Sequence, residues 1–306
     1  MRVVTLLPSA TEIVYALGLE PVATSHECDW PPGAAETPAV NRSRVDPEAP
    51  AGEIDAQVLE AEASGGVYEI DLGALERADP DLIVSQGICD VCAVDSVLVR
   101  EAVEELGLDC EVLTTDPHSL ADVFDDIGRI GRATGREDRA DEVVSGLRER
   151  VDRVRERTAD RPAAERPRVA VLDWTDPVMT AGHWVPELVE WAGGEYGLAD
   201  PGAASRPREW AEIRDYDPEA LVVAPCGFDL DQTFENLADL ADREGWADLT
   251  AVREGRAYAV DGHHYLNRPG PRLVDSLEHL AGLLSPGRFD APPSDVARPL
   301  ARTRAR

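Results

Sequence analysis

Lysine is missing from this chain: all 30 basic residues are arginine, set against 60 Asp and Glu and six His, for a formal charge of -30 over 306 residues. Without an ε-amine no side-chain Schiff base can form. A surface this acidic repels phosphate, which argues against a nucleic-acid grip and against an anionic-membrane anchor. So much like charge is tolerable where salt shortens the Debye length to ~3 Å, near 1 M, so the composition predicts a halophilic acidic protein. Long apolar runs are also missing. No stretch approaches the ~20 residues of a membrane helix, so no membrane insertion is expected. Residues 1–8 lack a signal-peptide layout, which predicts a cytoplasmic protein as encoded, and an extracytoplasmic one if the true start lies upstream. Five Cys, an odd number, do not make the disulfide framework of a small secreted domain. No G-x-x-x-x-G-K-[ST] loop, G-x-S-x-G elbow or H-E-x-x-H helix occurs, and no enzyme is predicted.

What is present is an alternation of strand and helix signals. Short β-branched runs at 3–7, 21–25, 82–85 and 110–113 read as strands, and residues 33–53, rich in Pro, Gly and Glu, as an irregular stretch. Helices are predicted over 54–63, 72–78 and 97–106. Ser9-Ala10-Thr11-Glu12 has the form of a capping box. Asp116 and Pro117 look like the start of a helix carrying Leu120, Val123, Phe124, Ile127 and Ile130 at three-four spacing. The longest signal is the stripe Ala140, Val143, Val144, Leu147, Val151 and Val154. It predicts a helix over about residues 136–158, roughly 35 Å long at 1.5 Å per residue, which should bridge two lobes. After a break at 162–167 the alternation restarts, with strands at 169–172, 221–224 and 257–260 and helices at 186–191 and 271–284. From residue 286 Pro and Arg replace the apolar pattern, which predicts a disordered tail. The fold class is therefore α/β: two Rossmann-like lobes with mainly parallel sheets joined by one long rigid helix. Boundaries fall at 1–116, 117–166 with the bridging helix, 167–285, and 286–306.

Parallel sheets bind ligands outside the carboxyl ends of their strands. Four of six His and three of six Trp follow predicted strands, among them His26, Trp30, Trp174, His183, Trp184, His263 and His264. Such loops describe a cleft walled by aromatic faces, suited to a large, flat, partly polar ligand, although His and Trp favour loops in any case. His183, His263 and His264 are imidazole donors for a metal centre carried on such a ligand. Cys89-x-x-Cys92 follows the third strand, and His26 and Cys28 follow the second, so neighbouring loops could assemble a thiolate and imidazole set for zinc or iron. The same pair also reads as a redox dithiol, or as two small half-buried residues without chemistry.

Several segments together resemble a known family. Val4 through Glu12, Ala16-Leu17-Gly18-Leu19-Glu20-Pro21-Val22, and Ser25-His26-Glu27-Cys28-Asp29-Trp30-Pro31-Pro32 are similar to the opening of cobalamin-binding components of ABC importers. More broadly they resemble the iron-siderophore and cobalamin substrate-binding proteins. Asp79 through Val84, Arg168 through Leu172, Ala192-Gly193-Gly194 and Pro269-Gly270-Pro271-Arg272 extend the likeness to about residue 285. The segments 25–29 and 89–94 look like a leaderless subgroup. The resemblance implies two lobes on one rigid helix, with little closure around the ligand. It also implies that Trp30, Tyr68, Gln86 and Tyr265 contact a corrin, with Trp174, His183 and Trp184 on the other lobe. Glu76 and Asn267 then stand near positions that dock onto an ABC permease.

The leading expectation is a non-enzymatic cobalamin or corrinoid binder, serving an ABC importer or acting inside the cell. A metal or redox protein using His26, Cys28, Cys89 and Cys92 is the alternative from another class. A ferric-siderophore or haem binder is a third, for which Arg42, Arg44, Arg206, Arg208 and Arg268 would supply positive charge.

Overall fold

A computed structural model describes residues 1–87, 94 and 96–300. The chain divides into two compact units, one made of Met1–Ala49, Glu53–Leu147 and Pro269–Pro271, the other of Pro50–Gly52, Arg148–Arg268 and the chain from Arg272 onward.

In the first unit the strands are β1 (Val3–Thr5), β2 (Ala23–Thr24), β3 (Asn41–Ser43), β4 (Tyr68–Ile70), β5 (Leu82–Gln86) and β6 (Glu111–Thr115). A four-stranded sheet runs in the order β2-β1-β5-β6, with every pairing parallel. Val4 sits opposite Ala23 on one side and Ile83 on the other. Helices connect these strands, and residues buried on both sheet faces must be apolar throughout, which is why Val3, Val4, Leu82, Ile83 and Val84 form unbroken runs. β3 and β4 pair antiparallel in a separate ribbon. Neither was legible in the sequence: strands of three residues show no usable alternation, and the segment 33–53, which holds β3, is not wholly irregular as predicted.

In the second unit the strands are β7 (Val169–Thr175), β8 (Val178–Thr180), β9 (Arg206–Pro207), β10 (Ala220–Val223), β11 (Ala257–Val260) and β12 (Ala297–Pro299). Their order is β12-β11-β10-β7-β8-β9. The centre, β11-β10-β7, is parallel, and the three flanking pairings are antiparallel. Two expectations change here. The strand predicted at 169–172 is longer, since β7 continues through Trp174 and turns into β8, whose Val178 and Thr180 are buried. The tail from 286 was read as disordered, yet Val296, Ala297 and Leu300 are buried and β12 pairs with β11. Three spaced apolar side chains are enough to close a sheet edge, and composition averaged over a Pro-rich window hides them.

The predicted long helix is present as Glu137–Thr158, 22 residues and about 33 Å of rise, and it carries the chain from the first unit into the second. Ala140, Leu147, Val151 and Val154 are buried, whereas Val143 and Val144 are half-buried. The preceding helix, Leu120–Ala133, starts later than Asp116 and Pro117 indicated. Ser119 and Asp122 form its capping box, and Asp116 instead lies 3.3 Å from His118. The box predicted at Ser9 and Glu12 does not form, because the first helix begins at Pro8 and places Ser9 inside its first turn. Among the described residues no helix is long and apolar enough to cross a membrane.

Candidate functional site

In the first unit, two of the predicted ligand contacts, Gln86 and Trp30, lie at or after the carboxyl ends of parallel strands, and a third, Tyr68, lies in the antiparallel ribbon. Gln86 is the last residue of β5 and is buried. Trp30, in the loop that follows β2, is 44 % exposed, unusual for so large an apolar side chain. Tyr68 belongs to β4, and its ring centroid lies 5.7 Å from that of His26. A residue that sequence reading overlooked makes this approach possible. The side-chain oxygen of Asn41, on β3, accepts from the backbone N of His26 (3.0 Å) and from its Nδ1 (3.1 Å), tying the loop after β2 to the β3–β4 ribbon. An Asn in a Pro-rich stretch gives no signal for this, since the tie exists only once the ribbon has formed.

His26 Nε2 faces Glu27 Oε1 at 3.1 Å. Burial alone would lower its pKa, but the bonds to Glu27 and Asn41 outweigh it and raise the value above 6.5. With both ring nitrogens turned to oxygen partners, neither is presented to a metal ion. The Cys28 thiol is buried elsewhere, with Sγ 3.0 Å from Thr11 Oγ1, which in turn meets Thr5 Oγ1 at 2.6 Å. His26 and Cys28 therefore serve different contacts, and among the described residues neither belongs to a group of three donors close enough to hold an ion. Cys89 and Cys92, the other half of the proposed zinc or iron set, lie outside the described residues.

The second unit carries the richer aromatic set, also at strand ends. Trp174 packs against Phe228 at 5.1 Å between ring centroids, and its Nε1 donates to Asp176 O at 3.1 Å. His183 has φ +50, a left-handed backbone that turns the chain sharply, and its ring lies 5.6 Å from that of Trp184. Trp184 is buried and its Nε1 donates to Leu266 O at 2.6 Å, so it is as much a strut as a contact surface. Tyr265 meets His279 edge-on at 5.1 Å and the Arg272 guanidinium over its face at 5.6 Å.

Polar groups knit this loop cluster. Asp261 accepts from the backbone N of His264 (3.0 Å) and lies 2.7 Å from its Nδ1. Burial works to raise the Asp261 pKa, but the bonds from His264 hold the carboxyl below its ordinary value. Arg268 is buried and places Nη2 2.8 Å from His263 Nε2. Because a guanidinium can only donate, His263 Nε2 accepts and its hydrogen sits on Nδ1. Asn267 donates from Nδ2 to Ala224 O and Gly262 O, tying the loop after β11 to the end of β10. Glu76 is exposed on the helix Leu72–Ala78. Among the arginines proposed for a chelate, Arg42 pairs with Glu69 at 2.7 Å, Arg44 donates to Gly66 O, and Arg208 binds Glu212 at 2.9 Å.

Comparison with known proteins agrees with this architecture. The chain is 24% identical over 292 residues to an uncharacterized ABC transporter substrate-binding lipoprotein, YvrC, of Bacillus subtilis, covering 94% of this chain and 81% of that one. Its fold is similar to the periplasmic vitamin B12 binding protein BtuF of Vibrio cholerae, with a TM-score of 0.65, 21% identity and coverage of 92% and 96%. It is also similar to a periplasmic heme binding protein from Pseudomonas aeruginosa, with a TM-score of 0.71, 20% identity and coverage of 98% and 95%. With residues 3–263 matching the family pattern, the chain belongs to the periplasmic binding protein family, whose members bind ligands without transforming them.

Proposed function

We propose that this protein is the substrate-binding component of an ABC-type importer and that its ligand is a cobalamin or related corrinoid. The observation that carries the reading is the concentration of ring systems at the strand ends of the second unit: Trp174 against Phe228, His183 against Trp184, and Tyr265. The first unit by itself offers Trp30, Tyr68 and Gln86 at or beside its strand ends. Corrin faces are apolar and broad, and their burial yields ~25 cal/mol per Å². The rim of a corrinoid carries amides, which suit the carboxamide of Gln86 and the backbone amides of the strand-end loops. The vitamin B12-binding relative and the substrate-binding lipoprotein support the assignment. Docking onto a permease rests on Glu76.

Haem is the second reading, favoured by the three imidazoles of His183, His263 and His264 and by the buried Arg268, whose charge suits a carboxylate-bearing macrocycle. Titration of the purified protein with cyanocobalamin, cobinamide and haemin, followed by visible absorbance and calorimetry, decides between them. Micromolar or tighter binding of cobalamin supports the first reading and preferential haem binding replaces it with the second. Replacing Tyr265 or Trp174 by Leu, which removes roughly 50–60 Å² of contact each, should weaken binding of the preferred ligand about tenfold. No heat and no band change with any of the three overturns both readings.

A further inference from the structure

The second unit contains a half-buried Asp, with one carboxyl oxygen sealed from solvent, that the ligand contacts described above do not use. Between β7 and β8 the register slips: Leu172 pairs with Thr180 and Trp174 with Met179, which leaves Asp173 as the extra residue of a bulge. Bulges re-aim side chains. One oxygen of Asp173, Oδ1, is sealed from solvent with no hydrogen-bond partner, and the carboxylate accepts from the Ser205 hydroxyl. Ser205 Oγ in turn accepts from the backbone N of Gly182 at 3.0 Å. Gly182 is the only residue type that fits there, because a Cβ would lie 2.1 Å from Ala203 O and 2.7 Å from Ser205 N. The same two segments are joined by His183 N to Ala203 O (2.5 Å) and Gly202 N to His183 O (2.8 Å). Directly after this turn come the His183 and Trp184 rings.

We infer that Asp173 is a positioning residue: through Ser205 Oγ and the Gly182 amide it sets the turn that presents His183 and Trp184 to the ligand, and its charge state tunes affinity. The inference rests on the reading that these two side chains face the ligand.

An ionised carboxylate with an orphaned oxygen out of water is unfavourable, and burial pushes Asp173 up to about 6, within the range a cell can visit. Groups kept at such a cost concentrate where they serve function. The charged and titratable groups around the relay do not neutralise it. Tyr196 donates to Ala181 O at 2.7 Å, and burial holds its pKa well above 10, so it stays neutral. The Arg208 guanidinium is committed to Thr180 Oγ1, Leu198 O and Glu212. Cys226 approaches through its backbone N, which donates to Asp173 O at 3.0 Å, and His183 sits on the turn itself. While Asp173 is charged, its bond from Ser205 is charge-assisted and orders the hydroxyl; protonation weakens that bond and loosens the turn.

The test combines amide and indole NMR titration of the full chain with ligand binding between pH 5 and 8, for the wild type, Asp173→Asn, Ser205→Ala and Ser205→Thr. In the wild type the Gly182 amide and Trp184 indole signals should move with one midpoint near pH 6. The affinity for cyanocobalamin or haemin, whichever binds, should be about five- to tenfold weaker at pH 5 than at pH 8. Asp173→Asn and Ser205→Ala should lose both the titration and the affinity step, and Ser205→Thr should retain them. Titrations in Asp173→Asn that superimpose on the wild type overturn the role of Asp173, as does a Gly182 titration with no change in affinity. Failure of the wild type to bind either ligand overturns instead the functional reading on which the inference rests.

Discussion

Two side chains show how burial and partners set charge in this protein. Asp173 has a folded-state pKa of about 6, above the ordinary 3.8. The folded chain therefore holds a proton that the unfolded chain releases between about pH 4 and 6, so stability falls as pH rises through that window and stays lower above it. Asp173→Asn should raise stability at pH 8 by roughly 1–3 kcal/mol and leave it unchanged at pH 4, as measured by urea denaturation. His26 shows the opposite sign. Burial lowers its pKa, but Glu27 and Asn41 more than compensate and raise it, so its stabilisation is complete below pH 6.5 and fades as pH rises through the folded value. Glu27→Gln should bring the His26 NMR titration midpoint down towards 6.5, and Asn41→Ala should cost about 1–3 kcal/mol by removing the acceptor of two bonds. Sequence could nominate His26 as chemically interesting. It could not show that Asn41 engages its Nδ1 and helps raise its pKa, because that contact depends on the placement of a ribbon 15 residues away.

At the level of elements, apolar periodicity performed best where a segment was long or buried on both faces. The helix Glu137–Thr158 was legible because its stripe recurs over six turns, whereas β3, β4 and β12, three residues each, carried no periodic signal. Helix starts were less legible, since a hydroxyl or carboxylate near a helix has several amides to choose from, and tertiary packing picks Ser119 rather than Asp116. Ser119→Ala should cost about 1 kcal/mol. The second half of the long helix is fastened within its own unit by Arg150, which donates to both oxygens of Glu278, at 3.0 and 2.6 Å, and also to Asp275. All three side chains are about one-third exposed, which screens the interaction. Arg150→Met should lower stability by roughly 1–2 kcal/mol at low salt and by less in 1 M NaCl, checked by denaturation at both ionic strengths.

For the whole molecule, the charge of -30 dominates solution behaviour. Self-repulsion should lift as salt shortens the Debye length from ~10 to ~3 Å, so the thermal midpoint should climb between 0.1 and 1 M NaCl, and a flat response would remove the case for a salt-adapted chain. Alternation of strand and helix in two halves, the long intervening helix, and motifs spread over most of the length were enough to identify the family from sequence, because those features are local and repeat along the chain. Which aromatics gather at strand ends was legible for the same reason: the carboxyl end of a parallel strand is a position in sequence as well as in space. Only the tertiary structure decided that Asn41 pins His26, that Asn267 ties its loop to the carbonyl of Ala224 after β10, that the tail closes a sheet edge, and that a one-residue slip in register leaves one oxygen of Asp173 shut off from solvent. Each of these depends on segments distant in sequence meeting within hydrogen-bond range, and the energy of such a contact exists only after the backbone that brings it together has folded.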